Sequence, residues 1–327
     1  MKRIIAIVLF CVTAVFVWFV NYDTDTDSET SLRFVGDALN PKIVETLANA
    51  TIASDGLAID LGNDITMEFV ALSPGTFVMG SSESDPDARN NEKPQCRVTL
   101  TRGFFIGIHE ITQEQYTRVT NLDPAHFKFD GSKKHPIEHV TWFDAVRFCN
   151  SLSKATGLSP CYTDNNGNPA IVAQKYIRCN WDADGFRLPT EAEWEYACRA
   201  GTTGKYCCDD EQIDQYAWHW TNSLVNYKPN SRGWGTNPVA SKLPNAWGLY
   251  DMHGSLWEWC WDPYQKQRIQ SEATDPVGPA SGTLRTYRGG AWSSEPYQVR
   301  SAVRHGCPPY YRNGHLSFRV VRKIAGK

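Results

Sequence analysis

At 327 residues, with 41% hydrophobic and 21% charged side chains, the chain can hold one large domain or two ordinary ones. A net charge of -3 at pH 7 excludes a general electrostatic attraction to nucleic acid. Twelve tryptophans and 12% aromatic residues predict a core in which large rings tile irregular loops.

In chain order, Met1-Lys2-Arg3 precedes residues 4–20, an apolar run without charge whose one polar interruption is Thr13. Basic residues ahead of such a run orient it so that the remainder is exported, to the periplasm or the extracellular face. The run is at the lower length limit for a spanning helix. It ends Trp18-Phe19-Val20-Asn21-Tyr22, with no small-x-small cleavage pattern. Residues 1–20 are therefore expected to be a membrane anchor, with a removed signal peptide as the alternative. Residues 21–60 follow as an acidic, hydroxyl-rich tether and N-terminal extension.

Residues 61–325 form one α+β domain in this reading. Met67 to Leu72 and Thr76 to Met79, around Ser73-Pro74-Gly75, predict a hairpin. Thr112-Gln-Glu-Gln115 and Thr190-Glu-Ala-Glu193 have the spacing of capping boxes, and a third helix starts near Thr141 with Trp142, Ala145, Val146, Cys149 and Leu152 on one face. Pro136 argues against a helix carrying His135 and His139 as a ligand pair, so both are read as structural. Long Gly/Pro/Asn-rich segments span 161–186 and 199–248, where function or ion binding is expected. Asn245 to Asp262 holds four tryptophans. There Trp257, Trp259 and Trp261 alternate with Leu256, Glu258 and Cys260, which predicts a buried strand. Glu258 then needs a metal ion or an arginine.

Ten cysteines in an exported chain predict disulfides. Cys161 and Cys179 bracket one loop and are a plausible pair. Adjacent Cys207 and Cys208 do not bond each other easily, and are read as bonded elsewhere or reduced.

Several motifs occur in a fixed order: Gly75-Thr-Phe-Val-Met-Gly80, Glu110-Ile-Thr-Gln-Glu-Gln-Tyr116, His135-Pro-Ile-Glu-His-Val-Thr-Trp142, Phe186-Arg-Leu-Pro-Thr-Glu-Ala-Glu-Trp-Glu-Tyr196, Asn245 to Asp262, Arg288-Gly-Gly-Ala-Trp292 and Phe318-Arg-Val-Val321. Together they resemble the formylglycine-generating enzyme, or sulfatase-modifying factor, family. The resemblance covers about residues 65–323 and implies a C-type-lectin-like fold with little regular secondary structure. The family's well-known members oxidise a sulfatase cysteine with dioxygen and copper held by two cysteines just after the Gly-Gly. Here Ser294 stands where the first is expected, the loop looks too short for the second, and Cys307 is misplaced. Serine cannot supply the soft thiolate that copper(I) needs, so copper is not expected; iron stays open, as in relatives that use histidine ligands.

The resemblance also implies calcium near Gly254-Ser-Leu-Trp-Glu-Trp259, with Glu258, Ser255 and Asn222 as ligands, against a core arginine as the partner of Glu258. Trp292, Ser294, Glu295, Arg304 and His305 are the pocket candidates. Arg288 and Arg300 are expected to pair with carboxylates such as Glu191, Glu193, Glu195 or Asp251. Two functions follow: an accessory, binding or maturation module for an exported protein or peptide, or a metal-dependent oxidoreductase of the same family.

Overall fold

The structure, a computed structural model, describes residues 50–53, 56–128, 131–170, 176–223, 235–266 and 271–324. The expected anchor and most of the expected tether, residues 1–49, lie outside them. Among the described residues no helix is long and apolar enough to cross a membrane.

The first strands are β1 (Ala50–Ala53), β2 (Gly56–Asp60), β3 (Thr66–Leu72), β4 (Gly75–Met79), β5 (Cys96–Leu100) and β6 (Phe104–Gly107). Helices α1 (Gln113–Thr120) and α2 (Trp142–Ala155) come next. After them run β7 (Tyr162–Thr163), β8 (Arg178–Cys179), β9 (Phe186–Arg187) and helix α3 (Glu191–Arg199). The chain closes with β10 (Trp257–Pro263), β11 (Glu272–Thr274), β12 (Arg285–Arg288), β13 (Arg304–Cys307), β14 (Leu316–Ser317) and β15 (Val321–Lys323). The sheets are ordered β1-β2-β3-β6-β15-β9, β13-β12-β10-β14, β11-β5-β4 and β7-β8. This is the expected α+β architecture.

The three expected helices start where the sequence places them, and two one-turn helices, Ile213–Tyr216 and Trp220–Ser223, lie in the long segment after α3. Thr112, Thr141 and Thr190 each accept from the backbone N–H three residues on, and that residue's side chain returns to the cap. Such reciprocal caps satisfy amides that the first turn leaves free. The predicted hairpin is not formed. β3 pairs with β2 and β6, so both its edges are taken, and β4 pairs with β5 in another sheet. The Pro-Gly turn moves the chain between sheets. At the end of the expected extension, β1 and β2 form an antiparallel pair at one side of the large sheet.

Tryptophans bind the layers together. Trp142, Trp194 and Trp259 are buried, and each indole N–H has an acceptor: Cys260 O at 2.9 Å, Glu258 Oε2 at 3.0 Å and Val140 O at 3.1 Å. Buried indoles require such partners. Two of these acceptors lie in β10, which fixes that strand against both α2 and α3. The Cys161–Cys179 disulfide is not formed in the structure; Cys161 immediately precedes β7, Cys179 lies in β8, and both are free thiols.

Candidate functional site

Strands β10, β12 and β13 place Glu258, Arg288 and Arg304 in one cross-strand row. All three are at most 2% exposed, so each charge needs a full set of partners. Glu258 accepts from Arg319 Nε and Nη2, both at 2.7 Å, and from Trp194 Nε1. Arg288 donates to Glu195 of α3 and to the carbonyls of Ser301 and Ala302. Arg304 Nη2 donates to Glu191 Oε2 at 2.7 Å. Farther along, Arg300 donates to Glu92 at 2.7 and 3.0 Å. The expected pairing of Arg288 is thus observed, with Glu195. Arg300 also pairs, but with Glu92 of the Ser81–Glu92 loop, and Arg304 is spent on an ion pair as well.

The turn that opens β10 depends on Gly254. Its φ is +79°, and a Cβ there would lie 2.0 Å from the carbonyl oxygen of Trp218. Only glycine fits such an approach. Ser255 then donates its N–H to that same oxygen at 2.8 Å.

The calcium set read from the sequence does not assemble. Arg319 and Trp194 take both oxygens of Glu258, the arginine alternative weighed above. Asn222 accepts the N–H of His219 at 2.9 Å and donates to Ala217 O at 2.9 Å. Among the described residues no group of three or more His, Cys, Asp or Glu side chains is placed to hold a metal. His135 bonds Thr236 Oγ1 at 3.0 Å, consistent with its structural reading.

The five pocket candidates do not share a pocket. Arg304 and His305 are neighbours in β13, and neighbours in a strand point to opposite faces. Arg304 faces α3, while His305 packs on Tyr287 and Trp257 with ring centroids 5.7 and 5.2 Å away. Trp292 packs edge-on to Phe127 and against His315, and donates to Gly314 O at 3.2 Å. Ser294 Oγ accepts from Ala291 N at 3.0 Å, while Ser294 N donates to Ala291 O at 2.8 Å. Glu295 caps the one-turn helix Pro296–Gln298.

A cleft of about 700 Å³ opens instead where α3, β5 and β11 meet. Met79, Val98 and Val277 contribute apolar walls; Asp262, Glu191 and Arg304 line it as polar groups. Asp262 accepts from the N–H of Glu191 at 2.7 Å. Burial, with the charge of Glu191 added, pushes its carboxyl up to about 8. Sequence reasoning named Arg304 but missed Asp262, the last residue of the tryptophan-rich stretch. A buried acid that accepts from the first residue of α3, 71 positions earlier in the chain, has no local signature.

Residues 62–324 match the model of the sulfatase-modifying factor enzyme 1-like domain. The chain belongs to the sulfatase-modifying factor family. It is 34% identical over 216 residues to the chaperone protein LppX of Paenibacillus barcinonensis, covering 60% of this chain and 71% of LppX. It is 30% identical over 301 residues to the formylglycine-generating enzyme of Thermomonospora curvata, covering 79% of this chain and 94% of that protein. Among solved structures, Treponema denticola variable protein 1 superposes with a TM-score of 0.72 at 30% identity, over 84% of this chain and 100% of that one. The chain spans less than half of the chlamydial serine/threonine-protein kinases that it also matches.

Chemically, the arginines are saturated by carboxylates and carbonyls, so they position strands rather than capture anions. The cleft offers three carboxyl groups, Asp262, Glu191 and Glu272, against one guanidinium, Arg304. Glu191 is tied to Arg304, and Asp262 is protonated near neutral pH. The cleft therefore presents a neutral carboxyl and Glu272 between apolar walls, and it favours a cationic group once Asp262 ionises.

Proposed function

We propose that this chain is an exported, membrane-tethered binding or accessory module that holds an exported protein or peptide client, without copper–thiolate chemistry. The observation that carries the reading is the closed turn at Ser294. Its hydroxyl and amide are both used within the turn. The next cysteine along the chain, Cys307, lies opposite Arg285, whereas Arg288, the residue before the Gly-Gly, lies opposite Arg304. That offset of three residue pairs amounts to about 10 Å along the strand. The name of LppX, a chaperone protein, supports a client-holding role. The cleft at Asp262 is the client site in this proposal, taking a basic side chain flanked by apolar ones. No calcium at Glu258 forms part of it.

Two measurements test it. The full chain, supplied with copper(I), dioxygen and a synthetic cysteine peptide, is expected to form no aldehyde by mass spectrometry; catalytic aldehyde formation would overturn the reading. In fluorescence anisotropy, peptides with lysine or arginine between apolar residues are expected to bind saturably. At about pH 9, where Asp262 is ionised, Asp262→Asn should weaken them by roughly tenfold. Binding indifferent to peptide charge would sink the cleft assignment.

A further inference from the structure

Cys207 and Cys208 are adjacent in a bent segment, and both are partly exposed. The segment is stitched to the far side of the Ser294 turn. Lys205 O accepts from Ser301 N at 2.8 Å, and Tyr206 OH donates to Pro296 O at 2.9 Å. Between them, His253 bridges the two chains: the N–H of Cys207 donates to its Nε2 at 3.1 Å, and its Nδ1 donates to Val299 O at 2.7 Å. Those bonds define one neutral tautomer. Burial keeps the imidazole neutral, down to about 4.

We propose that Cys207 and Cys208, whose adjacency makes a bond between them strained and so readily reversed, are a redox-active vicinal dithiol, closing to a disulfide ring by exchange with a low-molecular-weight disulfide of the glutathione type. The proposal does not depend on the client-binding reading. Cys208 is the attacking thiol. The neighbouring Cys207 thiol holds it below the usual thiol range, while Cys208 and burial push Cys207 up. Burial raises the thiols of Cys149, Cys161, Cys179, Cys198, Cys260 and Cys307, which makes them poor nucleophiles. The Cys208 thiolate attacks one sulfur of the small disulfide, forming a mixed disulfide and releasing one thiolate. Cys207 then loses its proton, attacks the Cys208 sulfur and displaces the second thiolate. Two protein thiols are oxidised, and one small disulfide is reduced to two thiols. Ring closure reorients the peptide that carries the bond to His253, and through Val299 it acts on the turn that holds Ser294.

The sequence makes the test clean. Trypsin releases residues 206–232 as one peptide whose cysteines are Cys207 and Cys208, and residues 188–199 as a separate peptide carrying Cys198. Cys198 Sγ is 3.7 Å from His253 Nε2, so it is the competing partner. The full chain is reduced, equilibrated across a series of glutathione and glutathione-disulfide mixtures, alkylated, digested and weighed. Peptide 206–232 is expected to pass from two alkyl groups to none, two hydrogens lighter and cross-linked to nothing. Cys208→Ser should leave Cys207 alkylatable throughout. A cross-link to peptide 188–199, a stable glutathione adduct without ring closure, or two alkyl groups across the whole series would each overturn the proposal.

Discussion

The two faces of the β10–β12–β13 sheet are held by different kinds of contact. On the inner face, Glu258, Arg288 and Arg304 are buried ions held by partners from α3, the C-terminal strand region and the carbonyls of the 301–303 loop. On the outer face, one residue away in each strand, Trp257, Tyr287 and His305 form a half-buried aromatic stack. The centroid of Trp257 is 5.1 Å from Tyr287 and 5.2 Å from His305. The inner face gains uniqueness: each ion has a partner far along the chain, so few alternative registers satisfy them. The outer face gains contact area and tolerates change. Buried ion pairs are a poor source of net stability but are costly to break, whereas an aromatic contact contributes through area and ring geometry.

The largest effect should come from breaking the inner face. Glu258→Ala leaves Arg319 buried without its carboxylate and Trp194 without its acceptor. The expected cost is about 3–5 kcal/mol, read from denaturant unfolding. Pairing Glu258→Leu with Arg319→Met should cost much less than the sum of the two single changes, because no charge is then stranded. Equal and additive losses would show that the ions do not act as a pair.

A smaller effect belongs to the outer face. Tyr287→Ala removes a ring packed between Trp257, Trp259 and His305. A loss of about 1–3 kcal/mol is expected, below that of a fully buried aromatic truncation, and Tyr287→Phe should be near neutral. A Tyr287→Ala cost equal to that of Glu258→Ala would erase the distinction between the faces.

What could be read in the sequence follows the range of each interaction. The capping boxes at Thr112, Thr141 and Thr190 span three residues, and their helices start where expected. The alternation of Trp257, Trp259 and Trp261 is equally local, and β10 obeys it. Partner choice is not local: Arg288 reaches Glu195 and Arg304 reaches Glu191, separations of 93 and 113 residues. The need for carboxylates was legible, but which one each arginine takes was mostly not. The hairpin failed for a related reason, since Pro74-Gly75 marks a turn without saying which sheet receives the next strand. The pocket candidates failed through parity. Arg304 and His305 were grouped because both fall in the segment where the family resemblance places a pocket, and alternation along a strand separates them.

The smallest effect is a pH dependence that tests whether buried acids in the cleft and beneath the Phe127 loop titrate as their burial implies. Asp262 is pushed up to about 8 and Glu138 to about 7, both chiefly by burial. The unfolded chain sheds these protons near pH 4, while the folded chain keeps them, so each acid costs stability as pH rises from about 4 to its folded value. His109, His135, His253 and His305 are held down to about 4 by burial, which acts in the opposite sense: stability is gained as pH rises from about 4 to about 6.5. The two groups offset each other below about pH 6.5. Above it the histidines are neutral in both states and only the acids act, so thermal stability should fall between about pH 6.5 and 8. Asp262→Asn keeps an acceptor for the N–H of Glu191 and removes the titration. Its melting temperature should therefore fall less steeply than the parent's from about pH 7 to 8, the remaining slope coming from acids such as Glu110, which burial also raises. Glu138→Gln should flatten the part just below pH 7. A parallel decline in Asp262→Asn would mean that the acid in the cleft is already ionised near neutral pH, and a basic client group would then bind without the pH dependence that a protonated Asp262 imposes.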